Sequence, residues 1–285
     1  MIIDMKRQIK KTSIFIFLIF LTVALSSCSI LKKFAPKGEE EEEKPAGYVE
    51  TKENELFIYD VFRDHITITG YLAEDTVVNV PETIDEKTVT TIGSYAFYDN
   101  NIPTSIELPS TITTIEANGF YFCNQLTEIV LPDSVTFIGE RAFAWCHALT
   151  KITLPTGITE IADYTFNDCP LLNNIVIPSN VTKIGLRAFS YCTSMTRIEL
   201  PSSVTSVKEN SFLGCTSLQY AIIPASVTDL APGVFKNCTA LTVVTPEGSA
   251  AFQYCIDNQI ISTIERPADE VSEDESGDVS GTVSE

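Results

Sequence analysis

Three kinds of residue recur every 23 positions along the middle of the chain. The recurring phenylalanines are Phe97, Phe120, Phe143, Phe166, Phe189, Phe212 and Phe235. The recurring cysteines are Cys123, Cys146, Cys169, Cys192, Cys215 and Cys238, and the recurring threonines are Thr90, Thr113, Thr136, Thr159, Thr182, Thr205 and Thr228. The columns stay in phase over seven units, residues 89–249. Such a period is typical of solenoids, in which each unit packs against its neighbours.

Each unit contains two short apolar segments separated by turns. In the second unit, Leu126, Ile129 and Leu131 share one side of an extended segment, which ends at Pro132 because proline has no backbone donor. Residues equivalent to Ile129 are Ile106, Ile152, Ile175, Ile198, Ala221 and Val244. Stacked in register, these segments predict a parallel sheet with strands about 4.8 Å apart.

The unit resembles the BspA-like, or type-5, leucine-rich repeat of bacterial surface proteins. The match covers residues 89–249 and extends loosely to Val77–Pro81. The resemblance implies a curved solenoid, a cell-surface location, a role in adhesion or binding, and no catalytic activity. We therefore predict a leucine-rich repeat solenoid of seven 23-residue coils with stacked parallel strands.

Both ends of the solenoid need a cap, because a terminal unit would otherwise expose its apolar face. Residues 48–88 include two apolar stretches, 56–59 and 66–70, that predict an N-terminal hairpin cap with a half-repeat. In residues 250–267, Ala251, Tyr254 and Cys255 have helical spacing and predict a C-terminal helical cap.

The N-terminus has the features of an export signal. Lys6, Arg7, Lys10 and Lys11 precede a mostly apolar run that is too short to span a bilayer. Leu25–Cys28 resembles the lipobox of bacterial lipoproteins, which implies that residues 1–27 are a signal peptide and that Cys28 is lipidated. A plain signal peptide is the alternative. A lipid on Cys28 would tether the protein to a membrane on its extracytoplasmic side.

Two acidic segments flank the predicted globular part. Residues 28–47 include five consecutive glutamates, which predicts an extended linker. Residues 268–285 are acidic and lack aromatics, which predicts a disordered tail. A calcium loop in the tail is disfavoured because the acids lack EF-hand spacing.

The cysteine column has three possible explanations. Exported proteins often form disulfides, but six equivalent rungs give no reason to pair in twos. Zinc would need four converging ligands, which a straight column does not supply. We therefore favour buried free thiols that satisfy backbone carbonyls, with Asn100 in the equivalent place of the first unit. Cys255 falls outside the repeat register and is assigned to the cap.

The threonine column is interpreted as a hydrogen-bonding ladder on the outer surface. Ice-binding solenoids also carry threonine arrays, but these generally need two adjacent columns, and the second column here varies.

The net charge and the absence of common catalytic motifs argue against several classes of function. The chain has 38 acidic and 19 basic residues, a formal net charge of −19, which would repel nucleic acid. It has two histidines, His65 and His147, and none of the common hydrolase, metalloprotease or nucleotide-binding motifs. We expect no enzyme, no cofactor and no metal.

Variation between units marks a candidate partner-binding face on the first strand of each coil. One outward column contains Ser105, Glu128, Lys151, Asn174, Arg197, Tyr220 and Val243; its neighbour contains Glu107, Val130, Thr153, Val176, Glu199 and Ile222. Solenoid faces of mixed character are common binding surfaces. We predict a monomer at the cell surface that binds a protein or glycan there; the alternatives are a merely solvated face or a structural component of the cell envelope.

Overall fold

The computed structural model describes residues 44–264. Cys28, the predicted signal peptide, the linker up to residue 43 and the acidic tail lie outside the described residues. The chain divides into two units, Met1–Glu50 and Thr51–Glu285. In the first, Tyr48 N donates to Pro45 O at 3.1 Å, which closes a turn before strand β1 (Tyr48–Glu53). The second unit contains the repeats.

The second unit begins with an antiparallel hairpin. Strands β2 (Phe57–Phe62) and β3 (His65–Tyr71) form it, and β3 then pairs in parallel with β6 (Lys87–Ile92). The short β5 (Thr83–Ile84) pairs antiparallel with β6. Tyr71 stacks on Phe97 of the first coil with ring centroids 5.6 Å apart. The predicted hairpin cap is therefore confirmed.

Parallel strands recur along the solenoid in register. In the described residues, the first strands of the turns form two four-stranded sheets, with no strand at this place in the fourth coil. One sheet contains β4 (Val77–Asn79), β7 (Ser105–Glu107), β9 (Glu128–Val130) and β11 (Lys151–Thr153). The other contains β14 (Arg197–Glu199), β16 (Tyr220–Ile222), β18 (Thr242–Val244) and β19 (Ile261–Thr263). With β4 and β19 beyond the seven coils, the solenoid has about nine turns.

The second strand of each turn is two residues long after the first coil. These strands are β8 (Thr114–Ile115), β10 (Phe137–Ile138), β12 (Glu160–Ile161), β13 (Lys183–Ile184), β15 (Ser206–Val207) and β17 (Asp229–Leu230). Their pairings are parallel, with Ile115 opposite Ile138 and Ile161 opposite Ile184. We number the coils one to seven in 23-residue steps from Val89.

The phenylalanine column forms a continuous ring stack inside the solenoid. Consecutive rings from Phe97 to Phe235 are nearly parallel, with centroids 5.1 to 5.7 Å apart. These rings belong to a single apolar core that also contains the inward strand residues. Each coil therefore shares its interior with the next, as the repeat predicts.

All six cysteines of the repeat column are free thiols, as predicted. Each Sγ donates to the carbonyl of the phenylalanine 26 residues earlier, as in Cys169 to Phe143 at 3.1 Å. The other five such distances are 3.0 to 3.2 Å. Because a buried carbonyl without a partner is costly, the column has a clear structural role.

The threonine ladder predicted from the sequence is present at three of the six steps between consecutive threonines of the column. Thr113 and Thr205 donate their hydroxyls to the backbone carbonyls of the threonines 23 residues earlier, both at 3.4 Å. Thr182 makes the same bond to Thr159 at 3.2 Å. The hydroxyls thus reinforce the backbone ladder.

The predicted C-terminal helix is confirmed, and it lies between strands β18 and β19. Helix α1 (Ala250–Asn258) begins at Ser249, whose hydroxyl accepts from Phe252 N at 3.1 Å. Ala251 and Cys255 are buried, and the Tyr254 ring meets the last phenylalanine, Phe235, edge-on at 6.3 Å. No helix in the described part of the chain has the length and apolar character of a membrane span.

Candidate binding surface

The predicted outward residues define a surface that we call the strand face. Its members lie on β7, β9, β11, β14 and β16 and on residues 174–176. Exposed side chains in the described structure are Glu107, Glu128, Val130, Lys151, Thr153, Asn174, Val176 and Glu199, and partly exposed ones are Ser105, Arg197 and Tyr220. Two predicted columns therefore do lie side by side on the surface.

Two residues predicted to face outward are buried, so their assignment to the face is wrong. Val243 is fully buried because the seventh coil is one residue short here: Thr242 pairs with Tyr220, and Val243 pairs with Ala221. Val243, rather than Val244, is thus the equivalent of Ile129. Ile222 is buried beside Val244, which is also buried, so this column is covered at its C-terminal end.

The strand face is interrupted in the fourth coil. Residues 174–176 are not a strand, and segment 173–177 has no described backbone-to-backbone hydrogen bond, although Ile175 is buried. Asn173 and Asn174 explain much of this break, because asparagine is unfavourable in strands. Asn173 also replaces a threonine such as Thr150, whose hydroxyl donates to Thr127 O at 3.0 Å.

A groove lies at this interruption. It has a volume of about 640 Å³, which falls in the size range of ligand sites. Its lining includes Lys151, Thr153, Asn174 and Val176 of the predicted face, together with Asn173. The structure therefore brings four of the predicted residues together around one concavity.

The strand face in and near the groove contains both exposed valines and charged side chains. Val176 is 84% exposed and Val130 is 67% exposed, unusually high values for valine. Arg197 pairs with Glu199 at 3.1 Å across the same face. The arrangement offers apolar contact beside both a cation and an ion pair, which suits recognition rather than chemistry.

The described residues contain no cluster of side chains that could hold a metal ion. No three histidine, cysteine, aspartate or glutamate side chains in residues 44–264 are placed to hold a metal. His65 contacts Asp64 at 2.8 Å in the hairpin cap, whereas His147 packs near Phe122 and Trp145 in the repeats.

Sequence reasoning missed a second surface feature. Phe122, Trp145 and Tyr191 directly precede repeat cysteines, and their backbones have positive φ. The signal was present in the sequence, since Gly214 and Asn237 occupy the same position in coils six and seven. Gly and Asn are the residues that this backbone conformation favours.

Comparison with known proteins agrees with the architecture. The sequence model of the family described as the BspA type leucine rich repeat region finds six copies in this chain. The matches cover residues 78–172, 113–242 and 159–271. The leucine-rich repeat protein of T. pallidum (TpLRR) is 31% identical over 69% of this chain and 82% of that chain, with a TM-score of 0.52. A leucine-rich repeat protein from Eubacterium ventriosum is 24% identical over 67% of this chain and 50% of that chain, with a TM-score of 0.57. No curated protein gives a sequence match.

Proposed function

Because the chain belongs to the BspA-type leucine-rich repeat family, we propose that it is a non-catalytic cell-surface protein that binds a protein or glycan through its strand face. The family model supports a repeat scaffold, and repeat scaffolds commonly present extended binding surfaces. The observation that carries the proposal is the groove between Lys151–Thr153 and residues 173–176. It is concave, partly apolar and built from the columns that vary most between coils.

The exposed valines of the strand face would favour binding, because a partner can bury their apolar surface. Val176 and Val130 leave apolar surface in contact with water, and burying it against a partner would release that water. Lys151 and Arg197 lie nearby and would orient a partner with acceptor oxygens. Carboxylates, glycan hydroxyls and backbone carbonyls all provide such oxygens.

The first experiment removes the polar contacts. Replacing Lys151, Arg197 and Tyr220 together with alanine should leave folding intact, because all three side chains reach the surface. The full chain and this variant are screened against matrix proteins and glycans by surface plasmon resonance. Loss of affinity by about tenfold or more supports the face. Unchanged affinity for the best ligand contradicts it.

A matched control is available on another surface. Lys183 and Lys208 lie on and next to the second-strand row and form ion pairs with Glu160 and Asp229. Replacing both lysines with alanine changes charge to a similar degree but leaves the strand face intact. This variant should bind like the unaltered chain.

A single substitution tests the apolar part. Val176→Asp should change stability by no more than about 0.5 kcal/mol, because the side chain is almost fully exposed. It should nevertheless weaken binding, since a carboxylate would be desolvated in the groove. Thermal unfolding and affinity are measured on the same preparation.

We further propose that Cys28 carries a lipid anchor. The support is the basic segment, the apolar run and the closing Leu25–Cys28 motif, all in the order that lipoprotein export requires. Cys28→Ser should move the protein from the membrane fraction to the soluble fraction and abolish incorporation of labelled fatty acid. Persistent membrane association would contradict lipid anchoring.

A further inference from the structure

Two positions in each coil have a left-handed backbone. The column just before the repeat cysteines has positive φ at Asp99, Phe122, Trp145, Asp168, Tyr191, Gly214 and Asn237. The φ values of Phe122, Trp145 and Tyr191 are 65°, 62° and 61°. A bulky residue is unfavourable in this conformation, whereas glycine and asparagine adopt it readily. Three coils therefore keep an aromatic side chain where a smaller residue would fit better.

Two of these aromatics, Phe122 and Trp145, join tyrosines of the first two coils in one surface cluster. We call Tyr95, Tyr98, Tyr121, Phe122 and Trp145 the aromatic strip. Tyr98 stacks on Tyr121 with centroids 5.7 Å apart, and Phe122 stacks on Trp145 at the same distance. Tyr121 and Phe122 are 6.1 Å apart, which links the two stacks. The strip thus runs continuously across coils one to three.

The strip reaches solvent and ends abruptly. Tyr95 is 38% exposed and Trp145 is 37% exposed. In coil three, Ala144 occupies the position equivalent to Tyr121 of coil two. In coil four, Asp168 occupies the position equivalent to Trp145 of coil three. In the described residues no ring of coil four stacks on Trp145, so the strip stops at coil three.

Charged groups around the strip are mostly acidic. Asp99 and Glu140 are exposed beside it, and Asp168 is partly exposed at its end. The one arginine there, Arg141, lies over the Tyr164 ring, with Cζ 4.4 Å from the ring centroid. Burial raises the pKa of Tyr98 and of Tyr121, so both phenols remain neutral donors at physiological pH. Arg141 also pairs with Glu140, and Tyr164 is not part of the strip. The surface therefore combines aromatic rings with two further carboxylates, Asp99 and Asp168.

We propose that the aromatic strip binds an arginine-bearing segment of a partner protein. Arginine stacks on aromatic rings and pairs with carboxylates, so it meets both features of this surface. Clusters of tyrosine, tryptophan and arginine are typical of energetically important protein contacts. A neutral glycan carries no positive charge to pair with the carboxylates, so it meets only one of the two features. Nucleic acid is repelled by the net charge of −19.

Trp145 is the sole tryptophan, so the surface carries its own reporter. The full chain is titrated with an Arg-Gly repeat peptide while tryptophan emission is recorded. A Lys-Gly peptide of equal length controls for charge, and a neutral oligosaccharide tests the glycan alternative. The expected result is a saturable emission change with the Arg-Gly peptide, at an affinity about tenfold above that of the Lys-Gly peptide.

Variants locate the site. Tyr121→Asn with Phe122→Asn keeps the Trp145 reporter and places a compatible residue at the left-handed position. It should lower affinity for the Arg-Gly peptide by about tenfold. The Lys151, Arg197 and Tyr220 triple variant should bind the peptide normally, which separates this site from the strand face.

Three results would overturn the proposal. They are equal affinity for the two peptides, unchanged affinity in the Tyr121 and Phe122 variant, and an emission change with the oligosaccharide alone. The peptide comparison uses the unaltered chain, so it is decisive even if the double variant fails to fold.

Discussion

At the scale of single residues, the thiols of the repeat column do more than fill space. Cys146, Cys169 and Cys192 are fully buried, and each bonds to a phenylalanine carbonyl. Burial raises the pKa of each of these thiols well above its ordinary value. The protonated form is the one that can donate to the carbonyl, so desolvation and hydrogen bonding favour the same state.

The raised pKa values of these thiols imply that the free energy of unfolding decreases at alkaline pH. A group whose pKa is raised by folding contributes fully below its unfolded pKa, about 8.5 for cysteine, and its contribution is lost as pH rises beyond it. Above that pH, each of Cys146, Cys169 and Cys192 should reduce the free energy of unfolding by about 1.4 kcal/mol per pH unit. Urea unfolding between pH 7 and 10 measures the slope.

Cys192→Ala is the matched control for that measurement. It should reduce the alkaline slope by one proton, in addition to lowering stability at neutral pH. A slope that is identical in the variant would show that the thiols do not cause the pH dependence.

Most residue assignments from the sequence were accurate where the period was intact, although Ile222 keeps the period and is nevertheless buried beside Val244. The buried thiols and the outward Lys151 and Val176 follow from position within the 23-residue unit. Val243 was misplaced because the last coil lacks one residue, and a one-residue slip moves a side chain to the opposite face. The carbonyl acceptor of each thiol depends on how the coil winds, which the period alone does not specify.

At the scale of elements, the ring stack supports every coil through its neighbours. Phe166 is fully buried between Phe143 at 5.7 Å and Phe189 at 5.4 Å. Phe235, at the end of the stack, has a phenylalanine on one side and Tyr254 edge-on at the other. The two positions therefore have the same residue with different support.

Replacing a phenylalanine of the ring stack with alanine should lower the free energy of unfolding more in the middle of the stack than at its end. Phe166→Ala should lower the free energy of unfolding by about 3–5 kcal/mol, and Phe235→Ala by less. The reason is that the end of the stack can relax into the cavity. Denaturant unfolding of both variants measures the difference, and equal losses would argue against a continuous stack.

The interruption in coil four should be visible in exchange dynamics. Ladder hydrogen bonds protect the amides of Glu128–Val130, which lie between β7 and β11. Segment 173–177 has no described backbone partner. Its amides should exchange about tenfold faster or more by hydrogen–deuterium exchange mass spectrometry. Similar protection of both segments would show that the sheet is continuous in solution.

The repeat pattern alone did not reveal this interruption. Ile175 keeps its place in the apolar column, so the fourth coil resembles its neighbours when only the core positions are read. The adjacent Asn173 and Asn174 are the relevant signal, but whether asparagine breaks a strand depends on packing around it. The groove therefore emerged only from the three-dimensional arrangement.

At the scale of the whole molecule, the coils of the second unit stack on one shared core after the N-terminal hairpin. The hairpin ring of Tyr71 begins the aromatic stack and Tyr254 of helix α1 ends it. Architecture of this kind follows closely from the sequence, because a strict period leaves few alternatives. The strand face and the aromatic strip differ between coils, and their partners depend on chemistry outside the chain.

The most direct test of the stacked interior is alkylation of the native chain with iodoacetamide, read by mass spectrometry without reductant. Because they are buried, five cysteines should remain unmodified in the native protein: Cys123, Cys146, Cys169, Cys192 and Cys215. All five should react after unfolding in urea, still without reductant, because they are free thiols in one buried column. Modification in the native state, or a need for reductant after unfolding, would contradict the stacked interior.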